Sequence, residues 1–186
     1  SRVRARILED AGLSFGIDPA DVDEPGIEAD CRTGGMETPE VAETLAVAKA
    51  CLVSARHPGK WIIGADQMLD LDGASLRKPT DRAAAAETLR RLSGREHRLF
   101  GAVVIVRDGE EIWRHVSTAH LIMRPLSEAA IADYLDRAGD AVLTSVGAYQ
   151  LEGLGAQLFE RIEGDYFTIL GLPLLPLLAA LREQDL

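Results

Sequence analysis

The chain has 186 residues, 47% of them apolar, which is enough for one well-filled core and does not demand a second domain. Lys and Arg number 20 against 30 Asp and Glu, a net charge of -10, so a protein that coats nucleic-acid phosphates is disfavoured. A small polyanion can still bind where a few cations converge and a divalent metal assists. Two cysteines, Cys31 and Cys51, form no CxxC pair and no disulfide framework.

Residues 2–12 are predicted to be helical, with Val3, Ile7 and Leu8 on one face and Gly12 closing the helix. Residues 16–36, rich in Gly, Pro and Asp, are expected to be loop. Thr38-Pro39 reads as a helix start, with Thr38 as cap. Val41, Leu45, Ala48 and Leu52 follow at helical spacing, and the helix is expected to end near His57-Pro58-Gly59. Trp61 to Ala65 reads as a short buried strand that delivers Asp66 at its tip. Asp81 is expected to cap a helix running to Leu92. Phe100–Arg107, Asp108-Gly109 and Glu111–Met123 spell a long hairpin. Ser127 opens a helix to about Ala138, Leu158–Ile162 is a further strand, and a closing helix runs from Pro173. This order fits a three-layer α/β fold, with a mixed central sheet and flanking helices around a central cleft.

The longest apolar run, Ile169 to Leu181, is 13 residues and contains Pro173 and Pro176, too short and too broken to span a bilayer. No signal peptide is recognisable, and the cytoplasm is the default location. The chain starts at Ser1 without methionine, so an N-terminal piece is expected to precede it.

Several familiar catalytic patterns are missing. The histidines (His57, His97, His115, His120) form no HExxH, and each reads as a solvated or internally satisfied residue. There is no GxSxG elbow, and Gly59-Lys60 lacks the upstream glycine of a phosphate-binding loop. Gly153-Leu154-Gly155 lacks the third glycine of a dinucleotide fingerprint. What remains is carboxylates, lysines and glycines. Asp66 follows an apolar run, Lys78 precedes Pro79, and Glu152 sits in the glycine-spaced loop Gly147–Gly155. Each has a bland reading as turn cap, surface charge or solvated loop residue.

Together they carry a resemblance. Ser1-Arg2-Val3-Arg4, Asp21-Val22-Asp23-Glu24, Leu45-Ala46-Val47-Ala48-Lys49-Ala50, Gly64-Ala65-Asp66-Gln67, Lys78-Pro79, Leu92-Ser93-Gly94-Arg95, Gly147-Ala148-Tyr149, and Gly164-Asp165-Tyr166 through Gly171-Leu172-Pro173-Leu174 resemble, in order, the motif series of the Maf proteins. The likeness covers residues 1–186 as one domain, with the family's first strand lying before Ser1.

The resemblance implies a nucleoside triphosphate pyrophosphatase, often a homodimer, releasing a monophosphate and pyrophosphate with Mg²⁺ or Mn²⁺. It implies Asp66 as the catalytic aspartate, with Lys49 and Lys78. Ser1 and Arg4 would join them on the triphosphate, Glu24 and Asp66 on the metal, and Gln67 and Glu152 on the base. Gln67 with Glu152 resembles the branch that acts on 7-methyl-GTP, although that branch carries tryptophan where this chain has Val3.

The residue types suit such a reaction. Arg4 can grip phosphate oxygens in parallel, Lys49 and Lys78 act as compact charges, and Glu24 and Asp66 are hard oxygen donors. An aspartate near its ordinary pKa of about 3.9 is a weak base, so Asp66 is expected to orient a water acidified by the cation rather than abstract a proton unaided. Two alternatives stand beside this. Asp70-Leu71-Asp72-Gly73 resembles the DxD of aspartate-nucleophile phosphomonoesterases, although Asp72-Gly73 reads well as a hairpin turn. The chain could instead be a catalytically weak nucleotide-binding regulator of septum formation.

Overall fold

The computed structural model describes residues 1–186. Its helices are α1 (Arg2–Asp10), α2 (Glu24–Thr33), α3 (Thr38–Ser54), α4 (Arg82–Leu92), α5 (Glu128–Ala138), α6 (Tyr166–Leu170) and α7 (Leu174–Glu183). The strands are β1 (Trp61–Leu71), β2 (Ala74–Leu76), β3 (Glu96–Arg107), β4 (Glu110–Met123) and β5 (Phe159–Glu163), hydrogen-bonded in the order β2-β1-β3-β4-β5. The α/β class with helices flanking an open sheet is as expected, and the sheet is antiparallel where a mixed one was anticipated. Tight turns explain the difference. Asp72 (φ 53°) and Gly73 (φ 84°) join β1 to β2, and Asp108 (φ 51°) and Gly109 (φ 81°) join β3 to β4. Two successive residues at positive φ are the turn that matches the twist of antiparallel strands.

The chain divides into two compact units: Ser1–Gln67 with Phe100–Ser117 and Asp165–Leu186, and Met68–Leu99 with Thr118–Gly164. In the first, Ile7 and Leu8 of α1 pack with Val103 and Ile105 of β3 and with Leu174, Leu177 and Leu181 of α7. In the second, α4 packs against α5, burying Leu89, Leu92, Ile131 and Leu135. No helix is long and apolar enough to cross a membrane.

Several elements depart from expectation in ways that matter for the site. Residues 24–33, anticipated as loop, form α2. Asp23 caps it by accepting from the Gly26 amide at 3.1 Å, and Pro25 sits in the first turn. Its Pro, Gly and Asp belong to a helix start, and with only Cys31 fully buried the helix shows almost no apolar stripe.

The cap of α3 is Glu37, not Thr38: the Glu37 amide donates to the Glu40 carboxylate at 2.7 Å, while Thr38 is buried and its hydroxyl accepts from Arg32. The buried face of α3 is Val41, Leu45, Ala46, Ala50 and Val53, and Leu52 is exposed. Strand β1 runs on through Asp66 to Leu71, so Asp66 lies mid-strand instead of at a tip. The strand tolerates these acids because they have partners. Asp70, 2% exposed, accepts from the Gly73 amide and from Arg98.

Candidate functional site

Gly64 sets the approach of α3 to β1. A Cβ at Gly64 would lie 2.6 Å from the Ala46 carbonyl oxygen and 2.7 Å from the Ala50 methyl, so only glycine lets the helix lie this close. Lys49, adjacent to Ala50, is thereby brought within reach of Asp66, two residues after Gly64. Its Nζ donates to Asp66 Oδ1 at 2.6 Å and pairs with Glu24 Oε1 at 2.7 Å. The Lys49 side chain is 17% exposed, that of Asp66 11%, and that of Glu24 54%. The α2 helix, missed in the sequence, is what presents Glu24, as its first residue.

Burial pushes the Asp66 carboxyl up, against the opposing pull of Lys49 and of Arg4, while the nearby Glu24 charge adds to the rise. Burial likewise lowers the Arg4 guanidinium, opposed by the charges of Asp66 and Glu24. Arg4 is also a strut. Its Nε donates to the Gly171 carbonyl and its Nη1 to the Ala65 carbonyl, both at 2.7 Å. Ser1 caps α1, its hydroxyl accepting from the Arg4 amide at 3.4 Å.

Gln67 is a second strut. Its Nε2 donates to the Thr168 carbonyl at 2.9 Å and to the Ile169 carbonyl at 3.0 Å. Both struts meet at the end of α6, where Gly171 adopts φ 105°. A Cβ there would be strained, and would stand 3.4 Å from Gln67 Oε1 and 3.6 Å from Arg4 Nε. The Arg4 and Gln67 roles as struts could not be read from the sequence, since their acceptors are backbone carbonyls of distant segments.

Ser1, Arg4, Glu24, Lys49, Asp66 and Gln67 therefore all belong to the first unit, and the structure brings Arg4, Glu24, Lys49 and Asp66 into one charged cluster. Lys78 and Glu152 belong to the second unit, both exposed, on the segment after β2 and on the loop 147–155. That loop is held from beneath. Tyr149 is 4% exposed and its hydroxyl lies 2.8 Å from Nε2 of His97, itself 2% exposed. The Tyr134 hydroxyl donates to the Ala148 carbonyl at 3.2 Å, and Ala148 itself stands at φ 58°. Burial lowers the His97 imidazole to about 4, so it is neutral and serves the loop as a hydrogen-bonding core residue.

No group of three or more His, Cys, Asp and Glu side chains stands together to cage a metal. The carboxylates of Glu24 and Asp66, converging on one ammonium, are nonetheless the donor set that suits a hard divalent ion, which takes one or two carboxylates and draws its other ligands from water and phosphate. The alternative site at Asp70 and Asp72 does not form. Asp70 is buried under Arg98 and the turn amide, and Asp72 is a turn residue paired with Arg95. A nucleophilic carboxylate would need to be open to substrate.

A mostly buried lysine between two carboxylates, beside a strand of an open sheet and with an arginine charge acting on the same aspartate, defines an acid- and cation-rich site of the kind that handles phosphate groups. The chain belongs to the Maf family: the profile described as Maf-like protein matches residues 1–184. It is 56% identical over 186 residues to a nucleoside triphosphate pyrophosphatase of Nitrobacter hamburgensis, covering 100% of this chain and 91% of the relative. It is 55% identical over 184 residues to a nucleoside triphosphate pyrophosphatase of Paramagnetospirillum magneticum, covering 99% and 95%. It is 55% identical over 183 residues to a 7-methyl-GTP pyrophosphatase of Rhizobium etli, covering 98% and 92%.

Proposed function

We propose that this protein is a nucleoside triphosphate pyrophosphatase, hydrolysing the bond between the α and β phosphates to release a monophosphate and pyrophosphate. The observation that carries the reading is the Glu24–Lys49–Asp66 bridge, 2.7 and 2.6 Å long, formed around a largely buried aspartate. Charge of both signs is concentrated there, as cleavage of a phosphoanhydride requires.

Asp66 is the group to hold and orient the attacking water, since its carboxylate is buried and accepts protons more readily than an ordinary aspartate. Lys49 and Lys78 neutralise phosphate oxygens, with Lys78 assigned from its motif position. Arg4 orients the strand before Asp66 through the Ala65 carbonyl, and its charge would offset that of the phosphates. Ser1, beside it at the start of α1, would add a hydroxyl. A divalent ion, Mg²⁺ or Mn²⁺, would be held by Glu24 and Asp66, and its charge would stabilise the triphosphate and the departing pyrophosphate.

Gln67 and Glu152 are assigned to the base from their motif positions. A carboxylate accepts hydrogen bonds only, and guanine presents two adjacent donors, N1–H and N2–H₂, so a guanine-like base is the better match. The enzyme is read as cytoplasmic, acting as a homodimer or alone. Release of pyrophosphate from GTP, 7-methyl-GTP, UTP and dTTP with Mg²⁺ tests the proposal. Release from none of them, with bound nucleotide detected, would favour a nucleotide-binding regulator.

A further inference from the structure

Lys49 holds both proposed metal ligands at once. Its ammonium carries three donors, and two of them serve Glu24 Oε1 at 2.7 Å and Asp66 Oδ1 at 2.6 Å. Two hard cations cannot share this pair of carboxylates without strong mutual repulsion in a partly buried place. Arg4, the other nearby cation, is not free to take over, because its guanidinium is fastened to the Gly171 and Ala65 carbonyls. Lys49, by contrast, ends a flexible four-carbon stem on the surface of α3 and can swing while the helix stays put.

We propose that Lys49 is a resident counter-ion that stands in for the divalent cation between Glu24 and Asp66 until a polyphosphate draws it away. Glu24 and Asp66 would then hold a divalent cation together with the nucleotide and not before it. Phosphate oxygens give the ammonium a new set of acceptors, so its departure from the carboxylates and its arrival on the substrate are one movement. Binding of metal and of polyphosphate is coupled through this single side chain, and each raises the affinity for the other by the same factor. The device also keeps the nucleotide-free site from collecting divalent ions, and keeps Asp66 and Glu24 from repelling one another when no metal is bound. This inference rests on the assignment of Glu24 and Asp66 as the metal ligands of a pyrophosphatase.

The test is a Mn²⁺ titration of the full chain without nucleotide, reading free Mn²⁺ by electron paramagnetic resonance. The parent, Lys49→Met and Lys78→Met are compared. Removing the resident ammonium should tighten Mn²⁺ binding by about tenfold or more, the scale of one strong coupling, while Lys78→Met stays within about twofold of the parent. Lys49→Met binding Mn²⁺ no tighter than the parent would overturn the proposal. An equal gain in Lys78→Met would overturn it too, because any lost cation would then do. Should Lys49→Met fail to fold, Lys49→Gln, a neutral side chain that still donates hydrogen bonds to both carboxylates, replaces it, with the same gain expected and its absence having the same meaning. Pyrophosphate release by the parent is scored separately, so loss of the pyrophosphatase reading is distinguishable from loss of this one.

Discussion

The guanidinium of Arg4 donates to the carbonyl of Ala65 at 2.7 Å, tying the first helix to the residue immediately before Asp66. The same side chain reaches Gly171, so one planar fork fixes three segments whose order in the chain is remote. Lysine has a single ammonium and cannot reproduce two bonds in fixed geometry. Arg4→Lys should therefore lose about 1–3 kcal/mol of stability, through buried carbonyls left without a donor. Urea unfolding measures this directly, and an unchanged midpoint would mean the strut carries no weight.

Asp66→Asn changes one charge and almost no volume. It should keep the fold and remove most turnover, since the amide is a poorer ligand for the cation and holds the attacking water without a negative charge. Full activity in this variant would sink the assignment of Asp66. Activity that survives removal of all divalent metal by a chelator would equally remove the metal from the reaction.

The two lysines should part company in stability. Lys78 is exposed, so Lys78→Ala should slow triphosphate turnover while stability stays within about 0.5 kcal/mol of the parent. Lys49→Ala strips the mostly buried Asp66 of its ammonium partner and leaves it facing the half-exposed Glu24. It should lower turnover and also cost about 3 kcal/mol, the scale for breaking a buried pair. Equal thermal midpoints for the two variants would contradict the geometry of the bridge.

His97 makes stability depend on pH. Its imidazole is lowered from 6.5 to about 4 by burial, against a small opposing pull from Glu96. Between those values the unfolded chain takes up a proton that the folded chain refuses. Stability is thus full above pH 6.5 and falls as the pH drops toward 4, by up to roughly 3 kcal/mol from this group. His97→Phe should lose about 1–2 kcal/mol at pH 7, because the Tyr149 hydroxyl loses its partner, yet should lose less than the parent between pH 7 and pH 4.5. Denaturant midpoints at the two pH values decide the point, and parallel losses in both proteins would show that His97 is not the group responsible.

Substrate ranking tests Glu152. A pyrimidine turns an O4 acceptor toward a carboxylate, and neither of these can donate, whereas guanine supplies two adjacent donors. GTP and 7-methyl-GTP should therefore exceed UTP and dTTP in kcat/KM. Val3, at the position where the 7-methyl-GTP branch carries tryptophan, offers no aromatic face to a cationic base. The preference for the methylated base should consequently be modest, short of the 1–2 kcal/mol an aromatic contact supplies. Glu152→Gln should compress the purine advantage; an unchanged ranking would mean that Glu152 does not read the base.

Elements with local punctuation were legible from the sequence. Asp81 and Ser127 cap α4 and α5 as expected, and Asp108-Gly109 turns the long hairpin. Asp72-Gly73 was read correctly as a turn, against the phosphatase motif it imitates. What escaped was held by distant partners. Asp66 interrupts an apolar run and so looked like a strand end, but Lys49 and Arg4 let β1 continue through it. The two amide hydrogens of Gln67 go to carbonyls 101 and 102 residues away, which no spacing rule reveals. The α2 helix escaped because its hydrophobic signal is nearly absent, although its cap at Asp23 and its Pro25 were in plain view.

That sparse burial of α2 has a kinetic corollary. Only Cys31 of α2 is fully buried, whereas α3 buries Thr38, Val41, Ala42, Leu45, Ala46, Ala50, Val53 and Ser54. Opening α2 alone exposes little apolar surface, so its backbone amides should exchange with solvent deuterium through a local fluctuation, well below the free energy of global unfolding. The amides of α3 should exchange only when the whole unit opens. Glu24 is thus carried by a helix that should let go before α3 does, and its ion pair with Lys49 is a latch on that fluctuation. Any cation that joins Glu24 to Asp66 should slow deuterium uptake across residues 24–33 before it slows uptake anywhere in α3.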